Sequence, residues 1–172
     1  MNSPQSQFRA LVEQHQSRVY SLAYRVLLDS GAAEEVAQDV FLELHRQMDR
    51  LESPEHITAW LRRVTLHRAT DQLRRRARHP EYAAEEFRDE VTAIPAAANG
   101  HSPLATRMEQ LVATLPDAQR SVLLLRYQED LSPDEIATTL TMPLATVKSY
   151  LQRALQLLRT KAERTLKEYT RG

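Results

Sequence analysis

The chain has 172 residues, three glycines and no cysteine, and 27% of it is charged; that is enough for one medium domain or two small ones, in a composition that favours helix. Without thiols there are no disulfides and no thiolate chemistry, and no apolar run approaches the roughly 18–20 residues of a membrane span. Basic and acidic residues balance at 23 each, but they are segregated: residues 1–78 hold 12 basic and 10 acidic, 79–103 hold 1 and 5, and 104–172 hold 10 and 8.

The start, Met1 to Gln5, has neither a basic n-region nor an apolar h-region, so the chain is expected to stay in the cytoplasm. Residues 6–28 read as a helix, because Phe8, Leu11, Val12, His15, Val19, Leu22, Ala23, Val26 and Leu27 follow a period near 3.6. Asp29-Ser30-Gly31 reads as a stop and turn. A second helix over about 32–51 places Val36, Ala37, Val40, Phe41, Leu44 and Met48 inward, with Glu34 and Glu35 in its first turn, where the dipole favours acid. Ser53 is the N-cap and Pro54 the first residue of a third helix over about 54–78. Ile57, Trp60, Leu61, Val64, Ala69 and Leu73 form its apolar side.

Residues 80–103 lose this periodicity and contain Pro80, Pro95, Pro103 and Asn99-Gly100, a linker composition. Helices resume at about 104–114, 117–129, 133–140 and 144–168. No alternating run is long enough for a strand. The expectation is an all-α chain of two small helical domains, 1–79 and 104–172, joined by an acidic linker over 80–103.

The second domain ends in a helix-turn-helix pattern. Ser132-Pro133-Asp134-Glu135 is a capping box. Ile136, Ala137 and Leu140 form the buried side of the first helix. Val147, Leu151, Ala154, Leu155 and Leu158 line the second, which leaves Thr146, Lys148, Ser149, Gln152 and Arg153 outward. Such a mixture reaches phosphates and base edges together. An ordinary helical hairpin with a solvated face is the plainer alternative. A glycine is common where Thr141 stands in the turn.

The third helix carries Arg62, Arg63, Arg68, Arg74, Arg75, Arg76 and Arg78 beside Trp60 and His67. Arginine forks bind phosphates, and an aromatic side chain can stack on an unpaired base. The alternatives are a core role for Trp60 and a solvated helix end for Arg74 to Arg78. His45, His56 and His67 are spaced by eleven, but Pro54 interrupts any shared helix, and they read as surface or packing residues rather than metal ligands. There is no glycine-rich phosphate loop, nucleophile elbow or H-E-x-x-H. No catalysis, cofactor or metal is expected.

Three segments carry a resemblance that covers nearly the whole chain. They are Ala33-Glu34-Glu35-Val36-Ala37-Gln38-Asp39-Val40-Phe41-Leu42; Ala59-Trp60-Leu61-Arg62-Arg63-Val64 with Asp71-Gln72-Leu73-Arg74-Arg75-Arg76; and Leu115-Pro116-Asp117-Ala118-Gln119-Arg120 with the capping box and Thr146-Val147-Lys148-Ser149. In this order and spacing the chain resembles the extracytoplasmic-function (ECF) group of bacterial RNA polymerase sigma factors.

The resemblance implies that Gln38, Asp39, Phe41 and Leu42 dock on core RNA polymerase. Trp60, Arg62, Arg63, His67, Arg74 and Arg75 would hold the −10 element and its melted strand. Thr146, Lys148, Ser149, Gln152 and Arg153 would read the −35 major groove. It also implies promoter DNA and an anti-sigma factor as partners, with no membrane insertion. His67, Ala145, Tyr150 and Gln152 depart from residues frequent in the group, which bears on the promoter sequence and not on the class. A stand-alone helix-turn-helix regulator and a sigma-like decoy that binds only a regulatory protein are the alternative functions.

Overall fold

The computed structural model describes residues 3–78 and 103–171. Among these residues there are seven α-helices, one 3-10 turn and no strand, in agreement with the all-α expectation. The chain divides into two compact units, Met1–Asn99 and Gly100–Gly172. The expected linker over 80–103 lies outside the described residues, apart from Pro103.

The first unit holds α1 (Pro4–Leu27), α2 (Ser30–Gln47), the 3-10 turn Met48–Arg50 and α3 (Pro54–Arg78). Each helix packs on the other two. Val19, Leu22 and Val26 of α1, Val36, Val40 and Leu44 of α2, and Leu61 and Ala69 of α3 form the buried core. Each large aliphatic side chain so buried contributes about 1.5–3 kcal/mol. Two threonines are buried in α3 without penalty, because the Thr65 hydroxyl donates to the Leu61 carbonyl at 2.6 Å and Thr70 to Leu66 at 2.8 Å.

The α1–α2 corner is tighter than the sequence predicts. Leu28 takes a left-handed conformation, φ 52°, and its N–H donates to the Tyr24 carbonyl at 2.7 Å. Asp29 then caps α2 by accepting from the Ala32 N–H at 2.9 Å. Ser30 and Gly31 are therefore helical rather than part of a turn, and Glu34 and Glu35 fall beyond the first turn. The cap satisfies an otherwise orphaned N–H, which outweighs the turn preference of the glycine. At the start of α3 the predicted Ser53 cap forms, with the His56 N–H donating to its Oγ at 3.1 Å.

His15 is buried in α1. Burial, reinforced by the positive charge of Arg18, lowers its pKa below the ordinary 6.5. The folded unit thus favours the neutral imidazole, while the unfolded chain takes up a proton below 6.5. This part of the stability is complete above pH 6.5 and declines as pH falls below it. Urea midpoints should drop between pH 7 and pH 5, and by less in His15→Gln; equal drops in both chains would remove His15 as a source.

The second unit holds α4 (Pro103–Ala113), α5 (Asp117–Tyr127), α6 (Pro133–Leu140) and α7 (Leu144–Arg171). Helices α4, α5 and α6 all pack on α7. Leu115, Leu123, Ala154 and Leu158 form a buried cluster, with Leu111 and Val112 packed against it. Leu155, predicted inward, is 44% exposed. The buried side of α7 follows Val147, Ala154 and Leu158, and at 100° per residue Leu155 is rotated off that stripe.

Candidate nucleic-acid and protein interfaces

In the second unit the capping box forms as predicted. The Glu135 N–H donates to Ser132 Oγ at 3.2 Å, and the Ser132 N–H donates to Glu135 Oε2 at 2.7 Å. Helix α6 ends at Thr141, which adopts φ 52° and ψ 51°, the left-handed geometry for which glycine is the usual residue. The Met142 N–H closes the turn on the Ala137 carbonyl at 3.0 Å. Three residues later α7 is under way, with the Thr146 and Val147 N–H groups both donating to the Pro143 carbonyl at 3.0 and 3.1 Å.

Ile136, Leu140 and Val147 are buried, and α6 packs on α7. On the far side of α7, Lys148, Gln152 and Arg153 are exposed, and Thr146 and Ser149 are half-buried. This is a helix-turn-helix with a polar, basic outer face on its second helix.

In the first unit Arg62, Arg63, His67 and Arg75 are exposed along α3, and Arg74 is half-buried. Arg74 Nη1 lies 3.0 Å from Asp71 Oδ1. Trp60 is 8% exposed and belongs to the buried core, as the core alternative holds, which leaves little of it available to a base.

Arg76, next to Arg75, has a structural role. Its Nη1 donates to the Leu27 carbonyl at 3.2 Å and its Nη2 pairs with Asp29 at 2.9 Å. It thereby ties the end of α3 to the α1–α2 corner. Arg76→Ala should lower the stability of this unit by about 1.5–3 kcal/mol, the scale of hydrogen bonds to charged groups, whereas Arg75→Ala should change it by less than about 0.5 kcal/mol. Urea titration followed by the fluorescence of Trp60 separates the two; equal losses would contradict this division.

A groove of about 700 Å³ runs between α1 and α2. Phe8, Val12 and Tyr20 line it from α1, and Ala37, Gln38, Phe41 and Leu42 from α2. Phe41 is buried, whereas Leu42 is 58% exposed. Three of the four predicted docking residues are thus brought together, and Asp39 is not among the lining residues. It is turned to α3 instead, 3.5 Å from Arg68 Nη1, and Glu43 pairs with the same guanidinium.

The α1 side of the groove was not anticipated. Its signal is the stripe Phe8, Val12, Gln16 and Tyr20 at intervals of four; Phe8 and Val12 fall within the core periodicity of the helix, and Gln16 and Tyr20 lie outside it. Among the described residues no group of three or more His, Asp or Glu could hold a metal ion, and no helix is long and apolar enough to cross a membrane.

Two helical units, one with a basic α3 and an apolar groove and one with a helix-turn-helix, define a two-part helical protein of the nucleic-acid-binding class. The sigma-70 region 2 family model matches residues 11–79, and the sigma-70 region 4 model matches 105–158. The chain is 30% identical over 163 residues to the ECF RNA polymerase sigma factor SigK of Mycobacterium tuberculosis, covering 90% of this chain and 85% of that one. It is 27% identical to the ECF RNA polymerase sigma factor SigW of Bacillus subtilis, covering 90% and 88%.

The fold is similar to that of the sigma factor RpoE, solved in complex with the anti-sigma factor NepR from Bartonella quintana. The TM-score is 0.62 at 22% identity, with 91% of this chain and 97% of that chain covered. The chain belongs to the ECF family of RNA polymerase sigma factors, which direct transcription initiation.

Proposed function

We propose that residues 1–79 bind core RNA polymerase and the −10 element, and that residues 104–172 read the −35 element, with 80–103 as the linker between them. The observation that carries this reading is the pairing of two exposed basic helical faces, Arg62, Arg63, His67 and Arg75 on α3 and Lys148, Gln152 and Arg153 on α7, with the apolar groove at Gln38, Phe41 and Leu42. The groove and its polar rim suit a helical partner, and core polymerase supplies it.

On α3, Arg62, Arg63, Arg74 and Arg75 hold phosphates of the melted strand, His67 lies among them, and the edge of Trp60 borders the captured base. On α7, Lys148 and Thr146 position the helix on the backbone while Ser149, Gln152 and Arg153 meet base edges. The chain performs no chemistry of its own and acts in the cytoplasm. An anti-sigma factor is a further partner, by analogy with the relative that is solved in complex with one.

Salt dependence tests the assignment in the reconstituted holoenzyme. Lys148→Ala should weaken binding to every promoter and reduce the slope of log affinity against log salt by about one. Arg153→Ala should change the ranking of −35 sequences instead. An unaltered slope removes Lys148 from the phosphate contacts, and equal loss on all sequences makes Arg153 a positioning residue.

A further inference from the structure

We propose that Arg68 is a nucleic-acid contact held in reserve: Glu43 and Asp39 neutralise it in the free chain, and a partner that engages the acidic edge of α2 releases it. The proposal rests on the reading that α2 docks on core polymerase and α3 holds the melted strand.

Arg68 follows His67 directly and lies seven residues, about two turns, before Arg75. It therefore borders the exposed basic face of α3, on the side that meets α2. Its guanidinium is shared by two carboxylates one helical turn apart: Asp39 at 3.5 Å from Nη1, and Glu43 on Nη2. The three groups together carry a net charge of −1, so this edge of α3 repels phosphate although an arginine stands there.

The pairing is not built as a purely structural clamp. Arg68 Nε is buried without a hydrogen-bond partner among the described residues, so the pairing leaves one donor of the guanidinium unused. The Arg68 side chain is 37% exposed, and those of Asp39 and Glu43 are 49% and 31% exposed. Pairs at such exposure are weak and exchange readily for other partners.

Contrast Arg76, whose pairing with Asp29 and the Leu27 carbonyl is less exposed and lies away from the predicted docking residues. A basic partner that takes over Asp39 or Glu43 leaves Arg68 to a phosphate. By linkage, phosphate bound at Arg68 then favours docking at α2 by the same factor. The affinity of the free chain for melted DNA is thus held down until polymerase is present.

The test is binding of a fluorescently labelled 20-nucleotide single-stranded DNA to the free full-length chain, read by anisotropy. Glu43→Gln should tighten binding about two- to fivefold, the size of an exposed ion pair, and steepen the salt slope by about 0.7. The gain should vanish when Arg68→Gln is added, and Glu35→Gln, an exposed carboxylate of α2 outside the pairing, should give no comparable gain. A merely structural pair would lower the urea midpoint of Glu43→Gln and leave DNA binding unchanged or weaker.

In holoenzyme on promoter DNA, Glu43→Gln and wild type should bind alike, and Arg68→Gln more weakly. No gain in Glu43→Gln, or a gain that persists without Arg68, overturns the proposal. Failure of the wild-type chain to bind core polymerase would instead strike the docking reading, and the free-chain comparison would still decide the role of Arg68.

Discussion

Arg120→Ala is expected to destabilise the C-terminal unit by about 2–5 kcal/mol, the range for emptying a large buried side-chain volume. Arg120 is 1% exposed, which is rare for an arginine. Its Nη1 donates to the Leu115 carbonyl at 3.2 Å and pairs with Asp117 Oδ1 at 2.9 Å. Both partners flank Pro116, so the guanidinium fastens the α4–α5 joint from inside.

Leu115 itself is fully buried beside Leu123, Ala154 and Leu158, so loosening the joint disturbs the platform that carries the helix-turn-helix. Arg120→Met keeps most of the volume and should lose less. Urea denaturation followed by far-ultraviolet circular dichroism checks both variants, and Trp60 fluorescence, from the one tryptophan of the chain, reports on the other unit. A loss under about 1 kcal/mol in Arg120→Ala would place it with ordinary surface changes and contradict a structural role.

Leu42→Asp should separate binding from folding. Leu42 is 58% exposed on the groove between α1 and α2, so an aspartate there is solvated and should cost less than about 0.5 kcal/mol of stability. On the docking surface proposed above the same change puts a charge against apolar contacts. Affinity for core polymerase should fall at least about 30-fold, the loss that marks a hot spot.

Leu44→Asp, two residues on and fully buried, should unfold the unit instead, because an isolated charge has no partner in that core. Titration of labelled chain with core polymerase, together with a urea midpoint for each variant, distinguishes the two. Core affinity within threefold of wild type in Leu42→Asp would remove this groove from the docking surface.

The helices were legible because their apolar positions recur at 3.6 residues and two of their predicted starts carry a Ser cap directly before Pro. Ser53-Pro54 and Ser132-Pro133 gave starts that agree with the observed hydrogen bonds. The corner at Leu28 was not legible, since a leucine at φ 52° is held by the helix-ending bond to Tyr24 and the cap at Asp29 rather than by its own preference.

Nor does periodicity distinguish one arginine from the next in a run. Arg75 and Arg76 are equal in sequence, but only Arg76 meets Asp29, 47 positions earlier. Arg68 meets Glu43 and Asp39 across 25 and 29 positions, and the burial of Arg120 follows from how α5 lies on α7. Such pairings depend on how helices cross, which is a property of the assembled unit. The outward residues of α7 were easier, since the buried stripe through Val147, Ala154 and Leu158 leaves Lys148, Gln152 and Arg153 on the opposite side.

The central claim is that this chain gives core polymerase its promoter. Run-off transcription with purified bacterial core polymerase, with and without the chain, on candidate promoters from its own genome tests it most directly. Discrete transcripts that appear only when the chain is added, and that are lost with Leu42→Asp, are the predicted result. A chain that neither binds core nor changes the transcripts, while still binding duplex DNA by itself, would contradict the account and leave a stand-alone helix-turn-helix regulator in its place.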